Sequence, residues 1–579
     1  MGIGAACFTP AVLCAEAPAH CDLKMIVEIP ITMEGLTPVT NAKLNGKDVP
    51  LILDSGAFFS TISQAAAEEL KLPTRLSSLG TSIEGFAGFA SIPEFTSVSL
   101  TLAGRTFPRK FDLMVGGADF APVARGLLGQ DSLLGIWDVE YDLANGVVRL
   151  IKPGEGCHGT QLLYWAGGQA YSVVDINRTT RQEPHTIGSA TVNGSKIRVI
   201  FDTGAGASYL SLHSAERAGV KPDSPGVTPG GHASGLQPGS VKTWIAPFQS
   251  FKIGDEEIRN THLRIGELDL EEVSDMLIGA DFFLSHRVYV ANSEHKLYFT
   301  YNGGPVFNLS TQPDARETPI PEGQPTTADE FFRRGAAYLA RHDYTHALAD
   351  LQRACELNPQ EPKYFFERAT VYWHTKQLDL SDADIDTTLK LQPDNTNALF
   401  WRAQRKLRKH DDAGAIADFN AVDHAAARQA NLRLALGRAY QQTAQFPEAL
   451  KQYDLWIDAH NEDVQADVHA SRCLMRALTD QARGESLFEC NRALDKLPDN
   501  PEALTGRGLI YLRLGKFDQA IPDYSGALKQ QPDNAWALFG RALAERELKK
   551  ASDAQSDYKA AIAIAPNIVE EFRKRGIVP

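Results

Sequence analysis

The chain changes its hydrophobic rhythm near its middle. From Ile26 to about Tyr301 it carries short β-branched runs such as Ile26-Val27-Glu28-Ile29, Thr96-Ser97-Val98-Ser99-Leu100 and Lys296-Leu297-Tyr298-Phe299. Asn-Gly, Ala-Gly and Gly-Gly turns punctuate them, which predicts short strands throughout this half. From Ala328 onward the spacing becomes helical and the pattern returns every 34 residues. Repeats start at 328, 362, 396 and 430 and, after a three-residue slip, at 467, 501 and 535. Such a period marks helix pairs that bury their apolar faces on one another. Between the halves, residues 303–327 place Pro313, Pro319, Pro321 and Pro325 among polar residues, predicting an extended linker that buries little. The pattern thus predicts a multidomain chain, all-β and then an all-α superhelix.

The β half is written twice. Ala42–Ser63 reads AKLNGKDVPLILDSGAFFSTIS and Ala190–Ser211 reads ATVNGSKIRVIFDTGAGASYLS, aligned without a gap at an offset of 148. Gly126-Leu127-Leu128-Gly129-Gln130-Asp131 then matches Met276-Leu277-Ile278-Gly279-Ala280-Asp281. Gly129 lies 75 residues after Asp54, and Gly279 lies 77 after Asp202. A strand pair follows each, 139–141 with 148–150 and 288–290 with 297–299. Short helices are expected at 64–72 and 212–218. Two homologous lobes, 25–153 and 154–302, are the expected division.

Each copy centres on an aspartate in a tight Asp-Ser/Thr-Gly-Ala turn. Two adjoining carboxylates cannot both ionise, so they share a proton, aspartic proteases being the standard case. The ionised partner takes a proton from a trapped water while the neutral one donates to the scissile carbonyl. Asp54 and Asp202 are therefore the candidate catalytic pair. Gly56 and Gly204 allow the turn and bring N–H groups towards the carboxylates, with Ala57 and Ala205 beside them. Ser55 and Thr203 offer hydroxyls to cross-link the loops. Ser60 and Ser208 are expected to hydrogen-bond the outer carboxylate oxygens, and Asp131 and Asp281 to be structural acids. His185, His213, His232 and His262 are dispersed, no Gly-x-Ser-x-Gly elbow occurs, and the seven cysteines show no metal spacing. No metal or cofactor is expected.

The paired Asp-Ser/Thr-Gly-Ala loops, with the later Leu-Leu-Gly and Leu-Ile-Gly segments, resemble the retropepsin-like and pepsin-like aspartic peptidases from about 26 to 302. The resemblance implies a bilobal acid-protease fold with both halves in one chain, although pairing of lobes between two chains stays open. It also implies flaps over the substrate. The candidates are 80–90, with Gly85, Phe86 and Gly88, and 230–239, with Gly231 and Gly235. No Tyr occupies the first, unlike most pepsin-like members. In the helical half, Gly335, Tyr338, Ala347, Ala354 and Pro359, and again Gly508, Tyr511, Ala520, Ala527 and Pro532, resemble the tetratricopeptide repeat (TPR). That implies about seven repeats over 328–579, capped near 570–575, with a concave face for a protein partner.

Composition narrows the remaining choices. A length of 579 residues exceeds one core and suggests three or four domains. A net charge of −14 argues against nucleic acid as a partner. No run of 18 apolar residues occurs, so no transmembrane segment is expected. Residues 1–24 hold a small apolar stretch and Leu13-Cys14-Ala15-Glu16-Ala17, which predict a truncated signal peptide. A periplasmic or secreted, bacterial-type protein follows, and a cytoplasmic one otherwise. In an oxidising compartment Cys21 would pair with Cys157 and Cys473 with Cys490, the latter two facing inward on paired helices. The alternative leaves every cysteine reduced and buried. The expected function is aspartic endopeptidase activity on a protein or peptide substrate recruited by the repeats. The alternative is a non-catalytic adaptor whose lobes only bind peptide.

Overall fold

The computed structural model describes residues 21–85, 88–116, 124–178, 180, 185–233, 241–267, 274–307, 325–426, 432–459, 466–480 and 483–577. An all-β region in two lobes, Leu23–Tyr301, precedes a helical array, Ala328–Lys574. The signal-like stretch 1–20, with Cys7 and Cys14, lies outside the described residues.

The same local device sets each aspartate loop. Asn45-Gly46 and Asn193-Gly194 take positive φ at both positions, which matches a hairpin turn to the right-handed twist of its strands. The return strands, Lys47–Leu53 and Ser195–Phe201, run straight into the aspartates. Lys47–Leu53 pairs in parallel with Gly126–Leu128, and Ser195–Phe201 does so with Met276–Ile278. Leu51, Leu53, Val199 and Phe201 are buried, because strands covered on both faces are apolar along their length. Short helices follow at Gln64–Glu69 and Leu212–Arg217. Ser63 and Ser211 cap them by accepting the N–H groups of Ala66 and Ser214.

Among the described residues the strands form three sheets. An eight-stranded sheet makes lobe one and a seven-stranded sheet makes lobe two. The third has the order Leu23–Pro30, Val147–Pro153, Asp138–Asp142, His286–Ala291, Lys296–Tyr301, Ser172–Asp175. It draws on both lobes. The two strand pairs that the sequence assigns to separate lobes join here, Glu140 opposite Tyr289. Each pair alone would leave open edges, and joining them satisfies both. One hydrophobic cluster consequently runs through both lobes. Cys21 is bonded to Cys157, with 4.7 Å between their Cα atoms, fastening the first strand beside its partner.

Among the described residues the array holds fourteen helices from Ala328 to Ile564 in seven pairs, and Ile568–Lys574 covers the end. Arg334–Asp350, Arg368–Asp384, Arg402–Asp418, Arg507–Asp523 and Arg541–Asp557 each form a two-pronged ion pair between the helices of one repeat, at 2.5–3.0 Å. Leu436 and Gln452 occupy those places in the fourth repeat. In the fifth, Cys473 takes the arginine position and is bonded to Cys490, with Cα atoms 5.1 Å apart. Cys355 is a buried free thiol whose pKa burial pushes up to about 11.

The array is seated on lobe one. Helix Ala328–Ala340 packs on strand Thr32–Glu34 and the turn Leu143–Asn145, and Ala337 and Ala340 enter the core of the lobes. The Arg341 guanidinium donates to the Gly303 carbonyl at 2.6 Å. This corrects the expected start of the linker. Phe307 is buried edge-on against Phe251, 5.2 Å between centroids, so 303–307 belong to the packed body. Residues 308–324 lie outside the described residues.

Candidate active site

Asp54 and Asp202 face each other at the junction of the lobes. In each loop the aspartate Oδ1 accepts two N–H groups: Gly56 at 2.9 Å and Ala57 at 2.8 Å for Asp54, Gly204 at 2.9 Å and Ala205 at 3.0 Å for Asp202. The glycines are obligatory for a spatial reason. A Cβ on Gly56 would lie 2.1 Å from the Asp202 Cγ, and one on Gly204 would lie 2.3 Å from the Asp54 Cγ. Each loop thus presses its bare glycine against the opposite carboxyl.

Four buried hydrogen bonds lock the loops. Ser55 N–H donates to Thr203 Oγ1 and Thr203 N–H to Ser55 Oγ, each at 3.0 Å. Ser55 Oγ donates to the Phe201 carbonyl at 2.9 Å, and Thr203 Oγ1 to the Leu53 carbonyl at 2.7 Å. Within these four bonds each hydroxyl both donates and accepts, and each bond crosses from one lobe to the other.

Ser60 and Ser208 do not touch the aspartate pair, contrary to expectation. Ser60 Oγ donates to Asp131 at 2.7 Å and Ser208 Oγ to Asp281 at 2.6 Å, while accepting from Gly129 and Gly279 N–H. Asp131 and Asp281 also take the Ser60 and Ser208 N–H groups. The serines instead tie each loop to the acid that follows the Gly129 or Gly279 turn. Burial pushes the Asp281 pKa up to about 6, against its hydrogen bonds.

Burial raises the Asp54 carboxyl well above the usual range, and the neighbouring Asp202 charge adds to it. Burial also raises Asp202, against its backbone hydrogen bonds and a contact with Asp54. The two carboxyls titrate as a unit. Such a pair can hold one proton between its members, which water activation by two carboxyls requires.

Three partners were not foreseen. Gln130 Nε2 donates to the Ser55 carbonyl at 2.8 Å and to Thr186 Oγ1 at 3.0 Å, tying the loop of lobe one to lobe two. His185 Nδ1 lies 2.7 Å from the Gly56 carbonyl. Burial lowers its pKa, against the Gly56 contact and the Asp202 charge. Tyr141, fully buried, hydrogen-bonds Ser55. One signal was available for Gln130: the matching place in lobe two is Ala280, so it breaks the internal repeat.

Paired strands flank both flap candidates, and 86–87 and 234–240 lie outside the described residues. Gly85 pairs with Gly88 at the end of strands Thr74–Gly85 and Gly88–Leu102, and Phe86 lies outside the described residues. Gly231, at φ +81°, pairs with Thr243, and Gly235 lies outside the described residues. On the array, Phe366, Trp373, Phe400, Trp401 and Arg408 line a pocket of about 400 Å³. The Arg408 guanidinium stands 4.3 Å above the Trp373 ring.

The aspartyl protease family matches residues 40–135 and again 188–282, and the tetratricopeptide repeat family matches 332–381, 482–524 and 505–567. The chain carries two aspartyl protease domains and a TPR array. The helix pairs between the matched stretches show that the array is continuous across repeats whose sequence has drifted. Among curated proteins, DnaJ homolog subfamily C member 3 of Gallus gallus is 21% identical over 199 residues, 34% of either chain. Its Mus musculus counterpart is 22% identical over 195 residues, again 34% of either. The chain thus spans about a third of the length of these relatives. Among solved structures, the TPR protein YrrB, described as having an unusual peptide-binding site, is 16% identical. The match covers 39% of this chain and 97% of that one at a TM-score of 0.20. A TPR protein from Parabacteroides merdae is 19% identical, covering 43% and 98% at a TM-score of 0.28. Superpositions this loose carry no function across. No helix among the described residues is long and apolar enough to cross a membrane.

Proposed function

We propose that the protein is an aspartic endopeptidase in which Asp54 and Asp202 activate one water, and that the TPR array recruits its protein substrate. The observation that carries the reading is the mutual seating of each glycine against the opposite carboxyl. It leaves the two acids adjacent, inside one chain, with no room for a side chain between the loops. The water gives a proton to the ionised carboxylate and attacks the peptide carbonyl, while the neutral carboxyl donates to the carbonyl oxygen. The carboxyl that took up the water proton then gives it to the departing amine while the other carboxylate takes a proton from a hydroxyl of the resulting diol, and no covalent enzyme intermediate forms. The aromatic pocket of the second and third repeats supports recruitment, because aromatic and arginine side chains dominate binding energy at protein contacts. The two bonded cysteine pairs support a periplasmic or secreted location, since disulfides persist where the compartment is oxidising.

The test is digestion of a diverse peptide library from about pH 3 to 8, with and without pepstatin, comparing the native chain with Asp202→Asn. Cleavage lost in the variant, with an unchanged melting profile, is the expected result. Cleavage that persists in Asp202→Asn, or none by the native chain on peptides and on proteins captured by the array, would overturn the catalytic reading and leave the adaptor.

A further inference from the structure

A cavity of about 710 Å³ opens between the lobes, and none of its lining residues belongs to the aspartate loops. Lobe one supplies Ile136, Trp137, Asp138 and Lys152, lobe two supplies His295, and Arg178 comes from the segment after strand Ser172–Asp175. The His295 carbonyl accepts the Ile176 N–H at 3.0 Å, which brings Arg178 to the wall. Asn292 Nδ2 donates to the Leu134 carbonyl at 3.1 Å and the Trp137 carbonyl at 2.7 Å, fixing the apolar side.

Its charge is the informative feature. Lys152, Arg178 and His295 line one opening, and no carboxylate among the described residues pairs with them. Asp138, the one acid in the lining, is turned to other partners, as is Glu294 beside His295. Asp138 accepts from Ser293 and Tyr289, and Glu294 from Gly159 and Tyr298. Lys24 lies directly opposite Lys152 in the strand register, and like charges so placed repel. Lys152 and Arg178, with Lys24 beside them, in a chain of net charge −14, form a local field of sign opposite to the whole. An anion would relieve that repulsion, and Ile136 and Trp137 would cover an apolar body attached to it. The volume suits a small organic ligand.

We propose that this inter-lobe cavity binds a small organic anion, a carboxylate or phosphate on an apolar body, held by Lys152, Arg178 and His295 against Trp137. The proposal is independent of peptide cleavage. The experiment is calorimetric titration of the full chain at fixed ionic strength with phenyl phosphate, phenylacetate and inorganic phosphate. Saturable one-to-one binding of at least one aromatic anion is expected, weakened tenfold or more in the Lys152→Gln/Arg178→Gln double variant. Inorganic phosphate is expected to bind several-fold more weakly than phenyl phosphate, and the two aromatic probes distinguish a phosphate from a carboxylate ligand. If the double variant melts early, Arg178→Gln alone carries the test and is expected to weaken binding at least threefold. Absence of saturable binding by both aromatic anions, or equal affinity in native and variant chains, would overturn the proposal.

Discussion

Gly56 and Gly204 concentrate the demands of the site in two missing side chains. A methyl group on either would overlap the opposite carboxyl, and a displacement of about 1 Å at a reacting centre costs on the order of 100-fold in rate. Gly204→Ala should therefore reduce kcat at least that far while the melting temperature falls only slightly, as peptide turnover and a thermal melt would show. Ser55 acts differently, because its hydroxyl both donates and accepts across the lobes. Ser55→Ala strands a buried carbonyl and a buried N–H, for a loss of roughly 2–4 kcal/mol, measurable by urea titration. His185 bears on the pH profile. Below its lowered pKa it is cationic and helps keep Asp202 ionised, since its charge pulls the Asp202 pKa down. In His185→Gln, Asp202 takes up its proton at higher pH, and the acid limb of kcat/KM should move upward. An unmoved limb would leave His185 a packing residue.

At the scale of elements, the array is a run of near-identical joints interrupted at the fourth and fifth repeats. Arg334 and Asp350 are almost wholly enclosed and held by two hydrogen bonds. Removing one partner from a buried pair costs about 3–5 kcal/mol, whereas replacing both with apolar groups of similar size is often neutral. Asp350→Ala should accordingly destabilise the array, and Arg334→Met/Asp350→Leu should recover most of the loss in denaturant melts. In the fifth repeat Cys473 replaces the arginine and is bonded to Cys490, while Glu489 stands at the aspartate position and pairs with the neighbouring Arg472 at 2.7 Å. The sequence showed both the 34-residue period and the small residues, because they recur locally. The Arg–Asp ladder is equally periodic, but a charged residue on a helix is ordinarily on a solvated face, and only packing shows these to be enclosed.

At the scale of the molecule, protease lobes and array are packed together rather than strung on a linker. Glu34 of lobe one and Glu367 of the second repeat lie close enough across that contact to repel. Burial, with the Glu34 charge added, pushes the Glu367 pKa up to about 8. A carboxyl that holds its proton more tightly in the folded state contributes fully in acid. That contribution is lost as pH rises from the ordinary glutamate range through about 8. The contact should thus be firmer at pH 5 than at pH 8, and Glu367→Gln should flatten the difference in urea melts at the two values.

The sequence by itself determined the two lobes, the aspartate turns, the helical period and the cysteines worth pairing. Each is written in adjacent residues or in an internal repeat. Only the tertiary structure decided that Ser60 and Ser208 brace Asp131 and Asp281, that Gln130 and His185 reach the aspartate loops, and that both lobes share a sheet. It also decided that the array is seated on lobe one. These contacts join residues far apart in the chain, and their partners are chosen by where packed sheets and helices bring them, which no local pattern records.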